Sequence, residues 1–217
     1  MIVYQTLSGG RYVPFDSSNG ARPLYVNLTN RCDCDCVFCL RNKKDESSMS
    51  PENSLWIDRE PSIDEVESEL EKIPWQFVTE LVFCGFGEPT QRLDELVELL
   101  KFSKSKHPET PTRLNTNGLA ELSHGSEIAN RFKKILDTIS ISLNASNSQK
   151  YLKLTRAKYG IKSYAAMLDF AEHAKRFVPN VVLTIVDKVN PPEEIAACRK
   201  ICDARNLTLR VRTYEDH

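Results

Sequence analysis

The chain has 217 residues, 41% of them hydrophobic, and a formal net charge of -1. That length allows a domain with a substantial buried core, and the near-neutral charge offers no electrostatic case for a nucleic-acid partner. No apolar run approaches the ~20 residues needed to span a bilayer, and the N-terminus lacks the basic start and long apolar region of a secretory signal.

Residues 2–6 and 11–15 flank Ser8-Gly9-Gly10 and read as a hairpin. Residues 1–22 are therefore set apart as an N-terminal hairpin or lead-in, with 23–217 as the core domain. Residues 23–28 alternate and carry Leu24, Tyr25, Val26 and Leu28, the pattern of a first strand. A cysteine-rich stretch follows directly. Residues 41–53 are polar and charged and read as an exposed excursion. Ser62, with Glu65 three residues later, is a capping box that opens a helix carrying Ile63, Val66, Leu70 and Ile73; Pro74 stops it.

Residues 78–84 form a short apolar run ending at Gly85, read as a buried parallel strand. Thr90 begins a helix with Leu93, Leu96, Val97 and Leu100 on one face. Residues 112–116 read as a strand, 128–136 as a short helix and 138–143 as a strand. Residues 148–154 and 164–177 read as helices, 181–186 as a fifth strand and 207–211 as a sixth. Between these last two, Pro191-Pro192-Glu193-Glu194 opens a helix with Ile195, Cys198 and Cys202 on one face. Strand and helix alternate six times, which implies a parallel sheet covered by helices. Six units are fewer than the eight of a closed barrel.

The chemistry concentrates at Arg31–Leu40, which holds four cysteines in eight residues, 32–39. Cys32, Cys36 and Cys39 are spaced C-x3-C-x2-C. Thiolates suit zinc, copper(I) or an iron–sulfur cluster. A structural zinc site and an ordinary cubane each want four protein ligands. Three thiolates on a cubane leave one iron open to a small molecule. The seven cysteines are an odd count and are clustered, unlike a disulfide framework. A reduced, cytoplasmic setting fits.

On this triplet the chain resembles the radical S-adenosylmethionine (SAM) enzymes. The resemblance implies a [4Fe-4S] cluster on Cys32, Cys36 and Cys39, with SAM on the fourth iron. It implies reductive cleavage of SAM to a 5′-deoxyadenosyl radical that abstracts hydrogen from a substrate. It also implies the fold, a partial (β/α)6 TIM-type barrel open on one side. Phe38 stands where the family places an aromatic residue before the third cysteine. Gly85-Phe86-Gly87-Glu88-Pro89 resembles the Gly-Gly-Glu-Pro motif that binds SAM through main-chain groups, with Phe86 replacing a glycine. Asn115, in Leu114-Asn-Thr-Asn-Gly, matches a polar residue that reaches SAM.

Alternation places Ser140, Ser142 and Asn144 on one face at the end of the fourth strand. The resemblance assigns Ser142 and Asn144 to SAM, and Arg156 to its carboxylate, a task that suits a planar fork. Asn117-Gly118 reads as a tight turn. Cys34 reads as a non-ligand turned away from the cluster, Cys84 as a core thiol, and Cys198 and Cys202 as helix packing. His124 reads as an exposed loop histidine. Asp187, Arg210 and Arg212 either meet an acidic or polar substrate, or Asp187 caps its strand and the two arginines are solvated.

Within the superfamily, Leu24-Tyr-Val-Asn-Leu-Thr-Asn-Arg-Cys and Phe83-Cys-Gly-Phe-Gly-Glu-Pro-Thr resemble the small radical SAM proteins encoded beside TatD-type hydrolases. Three functions are compatible with the sequence. The first is an enzyme acting on a small polar or nucleotide-like substrate, with a reductant such as flavodoxin or ferredoxin. The second is an activase that makes a radical on a partner protein. The third is a non-catalytic zinc or iron–sulfur module.

Overall fold

A computed structural model describes residues 1–7, 11–42 and 54–213. The Ser8-Gly9-Gly10 turn and most of the polar excursion lie outside the described residues. Eight strands form one sheet: β1 (Val3–Thr6), β2 (Tyr12–Val13), β3 (Arg22–Val26), β4 (Val78–Phe83), β5 (Thr112–Thr116), β6 (Thr138–Ser142), β7 (Asn180–Val186) and β8 (Thr208–Arg212). Their spatial order is β2-β1-β3-β4-β5-β6-β7-β8. The six strands from β3 to β8 are parallel to their neighbours and follow chain order. The sheet does not close, because β2 and β8 are its two edges.

Helices α1 (Ile63–Glu71), α2 (Leu93–Lys106), α3 (Ala120–His124), α4 (Ser148–Thr155), α5 (Ser163–Ala174) and α6 (Pro192–Asp203) fill the crossovers. Register explains the two faces of the sheet. Thr116, Ile141, Leu183 and Leu209 lie in one row across β5 to β8. Val26, Phe83, Leu114, Ile139 and Val181 form another. Their apolar members are buried in one core cluster with Leu96, Leu100, Met167 and Phe170 from the helices. Fully burying such a side chain stabilises by about 1.5–3 kcal/mol. The intervening rows, Asn115–Ser140–Val182 and Ser142–Thr184–Arg210, turn to the opposite, concave face. Alternation along each strand thus separates core from cavity.

The N-terminal hairpin extends the sheet. β1 pairs antiparallel with both β2 and β3. Tyr4 stacks on Tyr25 with centroids 5.1 Å apart, and its hydroxyl donates to the Cys84 carbonyl at 3.1 Å.

Two helical expectations are corrected. The helix expected from Thr90 begins instead at Leu93, after a separate 3-10 turn at Pro89–Arg92. The Glu88 side chain caps that turn by accepting from Thr90 N, and Arg92 leaves helical geometry. The helix expected over 128–136 is only a 3-10 turn, Ile128–Phe132. Left-handed backbone at Glu127 and Lys134 breaks it at both ends.

The capping box at Ser62 is present in both directions. Ser62→Ala is expected to cost about 1 kcal/mol, read as a lower urea midpoint; an unchanged midpoint would show that α1 does not depend on its cap.

Candidate active site

The cysteine loop follows β3 at the C-terminal end of the parallel strands, where ligands bind in such folds. Its main chain is strapped to the end of α4. Asp35 N donates to Thr155 O and Val37 N to Leu154 O, both at 2.9 Å. The last carbonyls of a helix have no intrahelical donor, so each group satisfies the other. Lys158 N donates to Asp33 O at 2.8 Å. The Asp33 carboxylate accepts from Gln91 Nε2 at 2.6 Å and Ser123 Oγ at 2.8 Å. Arg41 donates to Cys34 O at 2.9 Å. These contacts hold the loop from behind and leave Cys32, Cys36 and Cys39 half-buried.

Cys34 is 5% exposed, so it is not a surface thiol. Its thiol hydrogen-bonds with those of Cys32 and Cys36, which holds its pKa far above the ordinary value, with burial adding to the effect. The same hydrogen bond from Cys34 holds Cys32 below the ordinary value, favouring the thiolate form that binds metal. The Cys34 side chain belongs to the buried core cluster that also holds Tyr151 of α4.

The Gly85–Pro89 stretch packs directly on the lead-in to the cysteines. A Cβ on Gly87 would collide with the carbonyl oxygens of Thr29 and Arg31, and one on Gly85 with the Asn27 side chain. Glu88 N donates to Arg31 O at 2.8 Å. The Glu88 carboxylate is 3% exposed. One oxygen accepts from Thr90 N at 3.1 Å and from the Thr90 and Thr116 hydroxyls at 2.8 Å. The other accepts from Asn117 N at 2.6 Å. Burial raises its pKa, and these four donors oppose the rise. Its side chain is therefore committed to the protein, leaving main chain for a ligand.

A cavity of about 460 Å³ opens beside the loop, and its wall includes Phe38, Cys39, Phe86 and Asn115. Phe86 is held edge-on by Trp56 at 5.7 Å and Tyr12 at 6.1 Å. Asn115 Oδ1 accepts from Arg113 Nη1 at 3.2 Å. Cys84, expected in the core, instead lies half-buried on this wall, because it shares the inward-facing parity of Glu80 and Val82. Arg210 and Arg212 also line it.

Ser142, Asn144 and Arg156 are not part of that wall. Ser142 ends β6, half-buried. Asn144 is buried with left-handed backbone at φ 57, and its N–H donates to Thr184 O at 3.2 Å. Arg156 caps α4 and pairs with Asp35 at 3.3 Å behind the loop. His124 is exposed, with Nε2 2.7 Å from Thr90 O. Cys198 and Cys202 are buried in the core on α6, as read.

Asn117 was missed. The sequence reading gives it a turn, which it makes through Oδ1 accepting from Leu119 N at 2.9 Å. Its Nδ2 also lies 3.9 Å from Cys32 Sγ, within reach of a sulfur acceptor. Only the spacing between two distant motifs carries that signal.

Among the described residues, no three His, Cys, Asp or Glu side chains gather closely enough to enclose a single ion. The donor set fits a multi-iron group. The triplet offers three soft thiols, Cys32 Sγ accepts from Cys34 N and Asn117 Nδ2, and Cys39 opens on a cavity with room beside it.

Residues 26–200 match the family model described as the Radical SAM superfamily. The GTP 3',8-cyclase of Paenarthrobacter nicotinovorans is 27% identical over 144 residues, covering 64% of this chain and 36% of that protein. The GTP 3',8-cyclase of Corynebacterium glutamicum is 26% identical over 197 residues, covering 88% of this chain and 48% of that protein. The chain thus spans about half the length, or less, of these curated relatives. Streptococcus suis SuiB bound to S-adenosylmethionine aligns with a TM-score of 0.65 at 18% identity, over 90% of this chain and 39% of that one. The FeFe-hydrogenase maturase HydG from Carboxydothermus hydrogenoformans aligns with a TM-score of 0.65 at 16% identity, over 91% and 47%. At these identities the likeness shows the fold, an α/β barrel that stays open.

Glu88→Gln keeps the size of the side chain but points a donor at groups that already donate. A loss of about 1–3 kcal/mol is expected, together with faster iron release from reconstituted protein. Urea unfolding and iron retention measure the two, and parent-like values in both would remove Glu88 as the anchor of the site.

Proposed function

The chain belongs to the radical SAM superfamily, and on that premise we propose an enzyme that cleaves SAM reductively at a [4Fe-4S] cluster and abstracts hydrogen from a small polar or nucleotide-like substrate. The observation that carries this reading is the C-x3-C-x2-C loop, held from behind by its main chain and opening on a cavity at the strand ends. A [4Fe-4S] cluster held there would supply the one-electron reduction that SAM cleavage needs.

The chain's own residues bind, orient and shield. Cys32, Cys36 and Cys39 hold the iron. Asn117 and the Cys34 N–H donate to the Cys32 sulfur and set its orientation. The main chain of Gly85–Pro89, with Asn115, offers polar groups to SAM, while Ser142, Asn144 and Arg156 would need to act from outside the present cavity wall. Phe38 and Phe86 give the cavity apolar surface that excludes water. The electron comes from a separate reductant of the flavodoxin or ferredoxin kind. A nucleotide-like substrate is supported by the name of the curated relatives, GTP 3',8-cyclase.

The test is anaerobic reconstitution of the parent, Cys34→Ser and Cys36→Ser, followed by iron and sulfide content and 5′-deoxyadenosine yield with dithionite. The parent and Cys34→Ser are expected to hold about four irons and to make 5′-deoxyadenosine; Cys36→Ser loses both. A stoichiometric zinc site in the parent, or a cluster lost from Cys34→Ser and kept in Cys36→Ser, would sink the assignment.

A further inference from the structure

We propose that Arg210 and Arg212, on the concave face of β8, bind an oxyanion of the substrate, either a carboxylate or a phosphoryl group. The proposal deepens the reading of this cavity as the reaction chamber and rests on it.

The cavity is lined by three guanidinium groups, Arg113, Arg210 and Arg212. They are not equivalent. Arg113 is neutralised, since its Nε and Nη2 lie 2.9 and 2.8 Å from Glu80 Oε2, and its Nη1 donates to Asn115. It is a built part of the wall. Arg210 donates through Nη2 to a neutral oxygen, Ser140 Oγ, at 2.8 Å. Among the described residues, no carboxylate lies within the 4.0 Å of an ion pair from either Arg210 or Arg212. A guanidinium carries five N–H donors, so most of Arg210's are uncommitted.

Placement makes these cations a pair. They stand two residues apart on one strand, so their side chains leave the same face. Arg210 lies in register with Thr184 and Ser142, and Arg212 with Val186, at the C-terminal end of the sheet. Burial, with the neighbouring charges of Arg113 and Arg212, holds the Arg210 pKa below its ordinary value. Glu80 pairs with Arg113 and offsets only part of the repulsion that Arg113 and Arg212 exert on Arg210, and an incoming oxyanion would relieve the remainder. Arginine forks match carboxylate and phosphate geometry and form charge-assisted bonds about twice as strong as neutral ones.

The other wall differs in character. Tyr12, Tyr25 and Phe86 present aromatic surface there, and Cys39 with Phe38 marks the cluster side. A ligand whose anionic end meets β8 would therefore lay an apolar or planar body against the aromatic wall, next to the cysteine loop.

Calorimetry on reconstituted holoprotein with SAM, at fixed ionic strength, tests this with two probes, inorganic pyrophosphate and malonate. The parent is expected to bind at least one of them. Arg210→Gln/Arg212→Gln should raise its Kd about tenfold or more, and Arg210→Lys/Arg212→Lys should fall between the two. The Kd for SAM should stay within about twofold, since the pair is assigned to substrate. Pyrophosphate binding assigns the anion as phosphoryl, and malonate binding as carboxylate. Arg212→Gln alone, on the edge strand, gives the same readout should the double variant not fold. Three results would overturn the proposal: no binding of either probe by the parent, equal probe affinity in parent and Gln variants, or a parallel tenfold loss of SAM affinity. Iron content and 5′-deoxyadenosine yield of the same preparation are separate readouts. A parent with a competent cluster and no anion binding sinks this proposal alone, and a parent without iron sinks the cofactor reading.

Discussion

The buried carboxylate of Glu88 is the constraint that sets the top of this barrel. Taking an ionised carboxyl out of water costs several kcal/mol unless its lone pairs are filled. Here four donors fill them, from Thr90, Thr116 and Asn117. Those donors lie on the loop after β4 and at the end of β5 and the residue after it, so one side chain fastens two segments that are distant in sequence. The Glu88 N–H fastens a third by donating to Arg31 O, one residue before Cys32. Gly87 allows this approach because no Cβ fits against the Thr29 and Arg31 carbonyls. Asn117, fixed through its own N–H, then carries the constraint to the Cys32 sulfur. The thiol that begins the triplet is thus positioned by residues 56 and 85 positions further along the chain, by their numbers.

A second strap works on the far side of the same loop. The α4 carbonyls of Leu154 and Thr155 receive the N–H groups of Val37 and Asp35, and Asp33 gathers Gln91 and Ser123. Between these two anchorages Arg41 also donates to Cys34 O. Arg156, matched by resemblance to a SAM contact, sits at this strap and pairs with Asp35. Its left-handed backbone at φ 48 ends α4 and frees the carbonyls that the loop uses.

Much of this was legible in the sequence because it is local. The parallel order followed from strand–helix alternation, the α1 cap from Ser62 and Glu65, and the place of the cysteine loop from the strand pattern before it. What was missed depends on residues brought together by the sheet. Cys84 looked like a core thiol because its strand is apolar, yet strand parity turns it to the cavity with Glu80. Asn117 looked like a turn residue because its reach to Cys32 spans 85 positions. Cys34 was read from the loop alone as a non-ligand turned away from the cluster, and its burial in the main core was not visible there. The 128–136 segment had helical spacing, but left-handed residues at its ends outweighed it. Ser142 and Asn144 were chosen by alternation, which holds for Ser142 and breaks at Asn144, where the backbone turns left-handed.

The departure from the glycine motif at Phe86 has a structural counterpart. A side chain at that position needs space, and the N-terminal hairpin and the segment after residue 53 supply a lined slot for it. Phe86 packs with Tyr4 and Leu55 in a small cluster separate from the main core, with Tyr12, Tyr25 and Leu40 around it. Edge-to-face contacts with Tyr12 and Trp56 fix its ring, and such pairs add about 0.5–1.5 kcal/mol beyond burial. The backbone duties stay with Gly85 and Gly87, which still approach Asn27 and Thr29 closely. Replacing one glycine therefore costs the main-chain surface little and converts a bare loop into an aromatic wall. That wall ties the hairpin to the site: β1 and β2 protect the outer edge of β3 and also complete the cavity into which Cys39 and the β8 arginines face.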